Sequence, residues 1–291
     1  MVREEVREGS GRSPAISVLT VTNRPGGIDV TWASLKKQTF TDFEWILCDE
    51  LYEWRKEEVK AYVNDTRLIH IPSPRVHEDL WNLNKSHNAA LRAARGDLIV
   101  SLQDYIWIRG DGLEKFWALH TALGPRNLIT GAGHKSEHPR LAHDIKGKIT
   151  IFKEPFTDKP SGISERDSRL EGEMKLEETN ASWWETNWAA APRKVFYDLG
   201  GYEEQHDAEF YGCDNLTIAL RAELLGYRFW LDKTNQCIGL PHSDFFPRPA
   251  DWEKRHGRHG AFAAWYTKWI EDGRHPLTYL NGNKGDSASA S

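Results

Sequence analysis

Three separated positions carry residue types that could do chemistry together. Asp104 lies in "DLIVSLQDYIWI", just past an apolar run that reads as a buried strand. A carboxylate at such a strand end can hold Mg²⁺ or Mn²⁺ against a diphosphate, because hard cations take oxygen ligands and keep positions open for substrate. Asp214 opens the amphipathic stretch "DNLTIALRAELLG". As an N-cap it would accept backbone N–H bonds, and as a general base it would be kept ionised by the helix N-terminus and take a proton from a hydroxyl. Its position alone does not separate these readings. His242 follows "CIGLP", and an imidazole beside a carboxylate suits Mn²⁺ better than Ca²⁺, provided that it converges with Asp104. Alone, Asp104 is a turn residue and His242 a structural one.

The elements that must position these groups follow an α/β rhythm. "AISVLTVT" reads as a buried strand, "VTWASLKKQT" as a helix, and "FEWILCDE" as a second strand that turns acidic at its end. A charged helix near Glu53–Asn64, a strand "RLIHI", a helix through "NKSHNAALRAARG" and the strand "DLIVSLQ" continue the pattern. Alternation of this kind implies a mostly parallel central sheet covered by helices on both faces, with ligands beyond the carboxyl ends of the strands. Asp49 and Asp104 fall on that rim.

After "NLITGAG" the alternation stops, and residues 135–180 read as a charged insertion. Order resumes at "SWWETNWAAAPRKVFYDLGGY", then a helix from Asp214 with Leu216, Leu220 and Leu224 at four-residue spacing, then two strands, "YRFWLD" and "NQCIGLPH". Trp252–Ile270 reads as a C-terminal helix. Residues 1–13 and the tail from Asn281 are read as disordered. The domain expected is therefore 14–250, with a first half about 14–133, a second half about 180–250, and a helical extension over 251–280.

Composition narrows the class. A formal charge of −5 without a dense Lys/Arg run argues against non-specific attraction to nucleic acid or an acidic membrane. Three distant cysteines, Cys48, Cys213 and Cys237, suggest neither a disulfide framework nor a zinc site and fit a reducing cytoplasm. No apolar stretch reaches the roughly 18 residues that a membrane helix requires. Of the thirteen Trp residues, Trp183, Trp184 and Trp188 cluster in "SWWETNW". Indole faces fill cores, and they also stack on sugar rings.

The order of these stations resembles the family 2 glycosyltransferases of GT-A fold. "SVLTVTNRP", "WILCDE", "SHNAALRAARGDLIVSLQDY", "LGGYEE", "GCDNLTIALRAELLGYRF" and "GLPH" stand where that family has its nucleotide loop, its base-binding Asp, its "RN" helix with a DXD-type strand end, its "GG(F/Y)" turn, its "ED" base motif and its closing His. The resemblance runs from about Ala15 to Asp244. It implies that Thr20, Thr22, Asp49, Asn88, Gln103 and Asp104 bind a nucleotide-diphosphate sugar, most typically a UDP-sugar. It further implies that Asp104 and His242 hold Mn²⁺ or Mg²⁺, and that Asp214 is the base of an inverting transfer to a glycan or other hydroxyl acceptor. The tryptophans 183, 184 and 188 would line the acceptor side. Gln103-Asp104-Tyr105 replaces the consecutive carboxylates usual there, His87-Asn88 the Arg-Asn, and Cys213-Asp214 the Glu-Asp. The alternatives are a non-catalytic nucleotide-sugar or glycan-binding protein and a transferase acting on a modified DNA base, the latter disfavoured by the overall acidity. A nucleotidyltransferase ranks last, since "TNRPGG" is a poor phosphate loop.

Overall fold

The computed structural model describes residues 12–74, 82–137, 161–209, 214–242 and 259–280. The expectations for residues 1–11, Cys213, residues 138–160 of the insertion, residues 251–258 and the tail from Asn281 lie outside the described residues.

The first half follows the expected alternation: β1 (Ile16–Thr22), α1 (Ile28–Lys36), β2 (Phe43–Asp49), α2 (Tyr52–Val63), β3 (Leu68–Pro72), α3 (Leu83–Ala93) and β4 (Leu98–Leu102). There follow β5 (Ile106–Ile108), α4 (Gly112–Leu123), β6 (Asn127–Lys135), β7 (Leu176–Thr179), β8 (Trp188–Pro192), α5 (Arg193–Leu199), α6 (His206–Glu209), α7 (Asp214–Leu224), β9 (Arg228–Gly239) and α8 (His259–Glu271).

The strands form one mixed sheet in the order β3-β2-β1-β4-β8-β6-β9-β5, with β7 also paired to β9. β1, β2, β3, β4, β6 and β9 run one way, and β5, β7 and β8 oppose them, so the sheet is mostly parallel by strand direction. Every residue of β1 and β2 is buried, as a strand covered on both faces requires. Alternation along β1 divides the core: Ile16 and Val18 pack with Trp32, Leu35 and Phe116 on one face, and Leu19 and Val21 with Ala90, Phe196 and Ala222 on the other.

Three differences from the sequence reading have physical causes. The two closing strands are one, β9, because its register on β6 jumps from Gly131↔Asp232 to Ala132↔Gln236 and the intervening residues bulge without ending the strand. Asn235 in that bulge accepts from Trp188 Nε1 at 3.2 Å and donates to the Gly112 carbonyl at 3.0 Å. The charged insertion contains β7, whose acidic "LEET" pairs antiparallel with β9 at the sheet margin. Along α7 the fully buried positions are Thr217, Ile218, Ala219, Arg221 and Ala222, whereas Leu216, Leu220 and Leu224 are only half-buried. That buried side packs against α5 and the 181–183 turn, and the leucines flank the contact.

Candidate functional site

The register of the parallel strands builds the first part of the site. Thr22 of β1 lies opposite Asp49 of β2, and Asp49 opposite Pro72 of β3, so three strand ends form one row. Ser101 pairs with Leu19, which brings Asp104, three residues on, to the same level. Thr22 Oγ1 donates to Asp104 Oδ2 at 2.5 Å, and Arg24 Nη1 donates to Asp104 Oδ1 at 2.6 Å. Both oxygens of a fully buried carboxylate are thus engaged.

Asp49 is equally enclosed. Arg55, reaching back from α2, meets it with two parallel bonds of 2.7 Å, Nε to Oδ2 and Nη2 to Oδ1. His70 Nε2 lies 3.0 Å from Oδ2, and the Leu51 amide donates to Oδ1 at 2.8 Å. Burial would raise this carboxyl, but the charge of Arg55 and the bonds from His70 and Arg55 outweigh it and hold the pKa below the ordinary carboxylate range. The remaining donor of Arg55, Nη1, bonds the carbonyls of Arg24 and Pro25 at 2.7 and 2.9 Å. One guanidinium therefore ties the Asp49 site to the loop that presents Arg24. Gly27 completes that loop with φ +112°, and a Cβ there would collide with the Asp104 carbonyl oxygen. Only glycine combines this backbone with so close an approach.

The second part is a cleft of about 620 Å³ bounded by Tyr105, Asn187, Trp183, Trp188, Arg169 and His242 among others. Tyr105 joins it to the rim. Its ring lies under the Arg24 guanidinium at 5.3 Å, its centroid is 4.1 Å from that of His242, and its hydroxyl donates to Asn187 Oδ1 at 3.1 Å. On the far wall Arg169 pairs with Asp167 at 2.7 Å and Glu185 at 3.1 Å. Burial would raise Asp167, but the bonds and charge of Arg169 pull its pKa down.

The expected site residues take the following places. Thr22, Asp49 and Asp104 share the rim. Thr20 is buried below it, accepting from Trp45 Nε1 at 3.0 Å. Asn88 is turned to the 201–204 segment, accepting from the Tyr202 amide at 2.8 Å and donating to the Tyr202 carbonyl and Glu204 Oε1, both at 2.9 Å. The Gln103 amide donates to the Asn187 carbonyl at 3.2 Å, binding the rim to the loop before β8. His242 lines the cleft against Tyr105. Asp214 begins α7, and its side chain lies outside the described residues. Of the three tryptophans, Trp183 is 38% exposed and lines the cleft, while Trp188 lines it although almost fully buried. Trp184, 1% exposed, belongs to the core with Ala181 and Phe196, which corrects the expectation of three indoles facing an acceptor.

The metal expected on Asp104 and His242 does not fit the described residues. Neither oxygen of Asp104 is without a short bond, Tyr105 follows where a second carboxylate would be needed, and no three His, Cys, Asp or Glu side chains among the described residues converge to hold an ion. Three residues of the site were not singled out in the sequence: Arg24, Arg55 and His70. Arg24 stands two residues after Thr22 in "TNRP", and Arg55 is hidden in "YEWRKEE", which reads as a solvated helix face.

A nine-stranded, mostly parallel mixed sheet with helices around it gives the chain a GT-A-type α/β fold, shared with the solved structures that follow. No family model and no curated protein sequence matches the chain. Solved structures do. Staphylococcus aureus TarS 1–349 superposes with a TM-score of 0.55 at 14% identity, over 77% of this chain and 60% of that one. The same TarS fragment in complex with UDP-GlcNAc gives 0.53 at 14% identity, over 82% and 63%. The mannosyltransferase PcManGT from Pyrobaculum calidifontis, in complex with GDP-Man and Mn²⁺, gives 0.52 at 15% identity, over 91% and 67%. The chain thus spans about 60% of the length of the TarS fragment. Among the described residues, no helix is long and apolar enough to cross a membrane.

Proposed function

We propose that the chain is a glycosyltransferase that takes a sugar from a nucleotide-diphosphate donor, a UDP-sugar first among candidates, and passes it to a hydroxyl acceptor with inversion. The observation that carries this reading is the continuity of two unlike surfaces through adjacent residues. Asp104 closes the row made with Thr22 and Asp49, and Tyr105 opens the aromatic cleft. A donor laid along the rim would have its anomeric carbon near that junction, with the acceptor in the cleft against Trp183.

The residues then divide the work. Thr22 and the rim loop bind and orient the nucleotide, and the fixed dipoles and charges need little reorganisation as negative charge builds on the leaving diphosphate. Asp214, at the first position of an eleven-residue helix, takes the acceptor proton, since the positive helix end favours its ionised form.

Thermal melting with UDP-, GDP- and dTDP-sugars tests donor binding, because a ligand of the native state raises Tm by mass action. One nucleotide class should stabilise the protein, and release of its diphosphate should fall by about 10²–10⁴-fold in Asp214→Asn with the fold retained. No shift with any donor would overturn the reading. A second reading, a nucleotide-sugar binder without turnover, draws on the hydrogen bond that each Asp104 oxygen already accepts within the protein. It predicts the Tm shift, but a basal diphosphate release unchanged by Asp214→Asn.

A further inference from the structure

The rim has to neutralise a diphosphate if the proposed function holds, and its own charges indicate how. A divalent ion at this strand end would need carboxylate lone pairs. Asp104 supplies one carboxylate, whose Oδ2 accepts from Thr22 and whose Oδ1 accepts from Arg24 at 2.6 Å. The neighbouring residue, Tyr105, offers an aromatic face instead of a second carboxylate, and the Arg24 guanidinium lies over it at 5.3 Å. His242 is packed on that same ring at 4.1 Å. Of the two residues that would have shared an ion, Asp104 is thus bonded to Arg24 and His242 is packed on Tyr105.

We propose that Arg24 is the diphosphate-binding cation of this protein and that donor binding is independent of a divalent metal. This inference rests on the glycosyltransferase reading above. Arg24 suits the task on three counts. Its charge is permanent, and its planar fork matches phosphate oxygens. Its backbone is held by Arg55, which bonds the carbonyls of residues 24 and 25, while Gly27 lets the loop close on the Asp104 carbonyl. The guanidinium is thereby placed before any ligand arrives. In this arrangement Asp104 orients the cation and is not a metal ligand.

Equilibrium binding of UDP, GDP and dTDP by calorimetry, in EDTA and in Mn²⁺, tests this on the full chain. The expected result is that one nucleotide binds in EDTA, that Mn²⁺ changes its Kd by less than about twofold, and that Arg24→Gln weakens it by about tenfold or more, the worth of one charge-assisted bond. Arg24→Lys should recover part of that loss. Asp104→Asn carries the opposite sign in the two models: it removes the anion paired with Arg24 and should tighten UDP in EDTA, whereas a metal ligand lost would weaken UDP in Mn²⁺. Circular dichroism establishes the fold of each variant. Should Arg24→Gln not fold, the double variant Arg24→Met/Asp104→Asn removes the pair together and should show the same loss. Binding seen only with Mn²⁺, or EDTA-resistant binding unaffected by loss of Arg24, would overturn this inference and leave the transferase reading standing. Failure of all three nucleotides under both conditions would overturn the reading itself.

Discussion

The two halves of the site solve opposite problems. On the β1–β4 rim, the carboxylates of Asp49 and Asp104 are fully buried and each is bonded to a guanidinium, Arg55 or Arg24. Across Tyr105, the cleft is lined by an exposed indole, and one of its ion pairs, Lys135–Glu165, has both side chains 62% exposed. A buried, mutually bonded rim keeps one geometry. An open, partly aromatic cleft accommodates varied shapes. Under the proposed function, donor specificity is built into the backbone frame, and acceptor choice resides in side chains that can change without disturbing the fold.

The largest effect should come from breaking the rim at Arg55. Arg55→Met leaves Asp49 buried without its two parallel bonds and releases the carbonyls of residues 24 and 25. Stripping one partner from a buried pair costs about 3–5 kcal/mol, which urea titration would measure. A loss under about 1 kcal/mol would mean that the rim is not held this way. The pH dependence has a definite sign. Asp49 has its folded pKa lowered, so its contribution is present above the ordinary carboxylate pKa of about 4 and fades as pH falls below it. Arg55→Met should flatten that acid limb.

The next test sets two adjacent tryptophans against each other. Trp184→Ala removes a core indole and should cost about 3–5 kcal/mol of stability. Trp183→Ala, on the exposed neighbour, should alter stability by under about 0.5 kcal/mol. Under the proposed function it should weaken an acceptor by about two- to tenfold, with donor affinity unchanged, since one ring stack contributes about 0.5–1.5 kcal/mol. Equal stability losses in both variants would remove the distinction between core and cleft.

That pair also marks the boundary of what was legible in the sequence. Elements set by local periodicity, β1 to β4 with their helices, fell where the apolar pattern placed them, and strand-end Asp49 and Asp104 were found with them. Burial of one Trp and exposure of the next depends on how the 181–188 segment crosses the sheet, which no local pattern encodes. The β9 bulge was missed because the polar "DKTNQ" mimics a turn, while Asn235 is in fact buried by partners distant in sequence. Arg24 and Arg55 were missed for the same reason: an arginine reads as solvated until the register of neighbouring strands supplies its carboxylate.

The smallest effect should come from a buried carboxyl beside the rim loop, Asp29. Asp29, near the start of α1, accepts from the Gly27 amide at 3.3 Å through Oδ1, and its Oδ2 has no hydrogen-bond partner among the described residues. Burial pushes its pKa up to about 6, only partly countered by bonds from the backbone of residues 30, 27 and 29. A carboxyl with a raised folded pKa contributes stability that is complete below its unfolded pKa, near 4, and is lost as pH rises through about 6. Above that, ionised Asp29 is a buried charge held against the same loop that Arg24 occupies. Asp29→Asn should remove the decline between about pH 4 and 6 and leave the variant more stable at pH 7 by about 1–2 kcal/mol, less than the full linkage value because the amide gains an unpaired donor. Melting curves across that pH range distinguish the outcomes. A parallel decline in wild type and variant would place the titration elsewhere, and would mean that the rim tolerates ionised Asp29 by relaxing its loop, which a frame as tightly bonded as this one should resist.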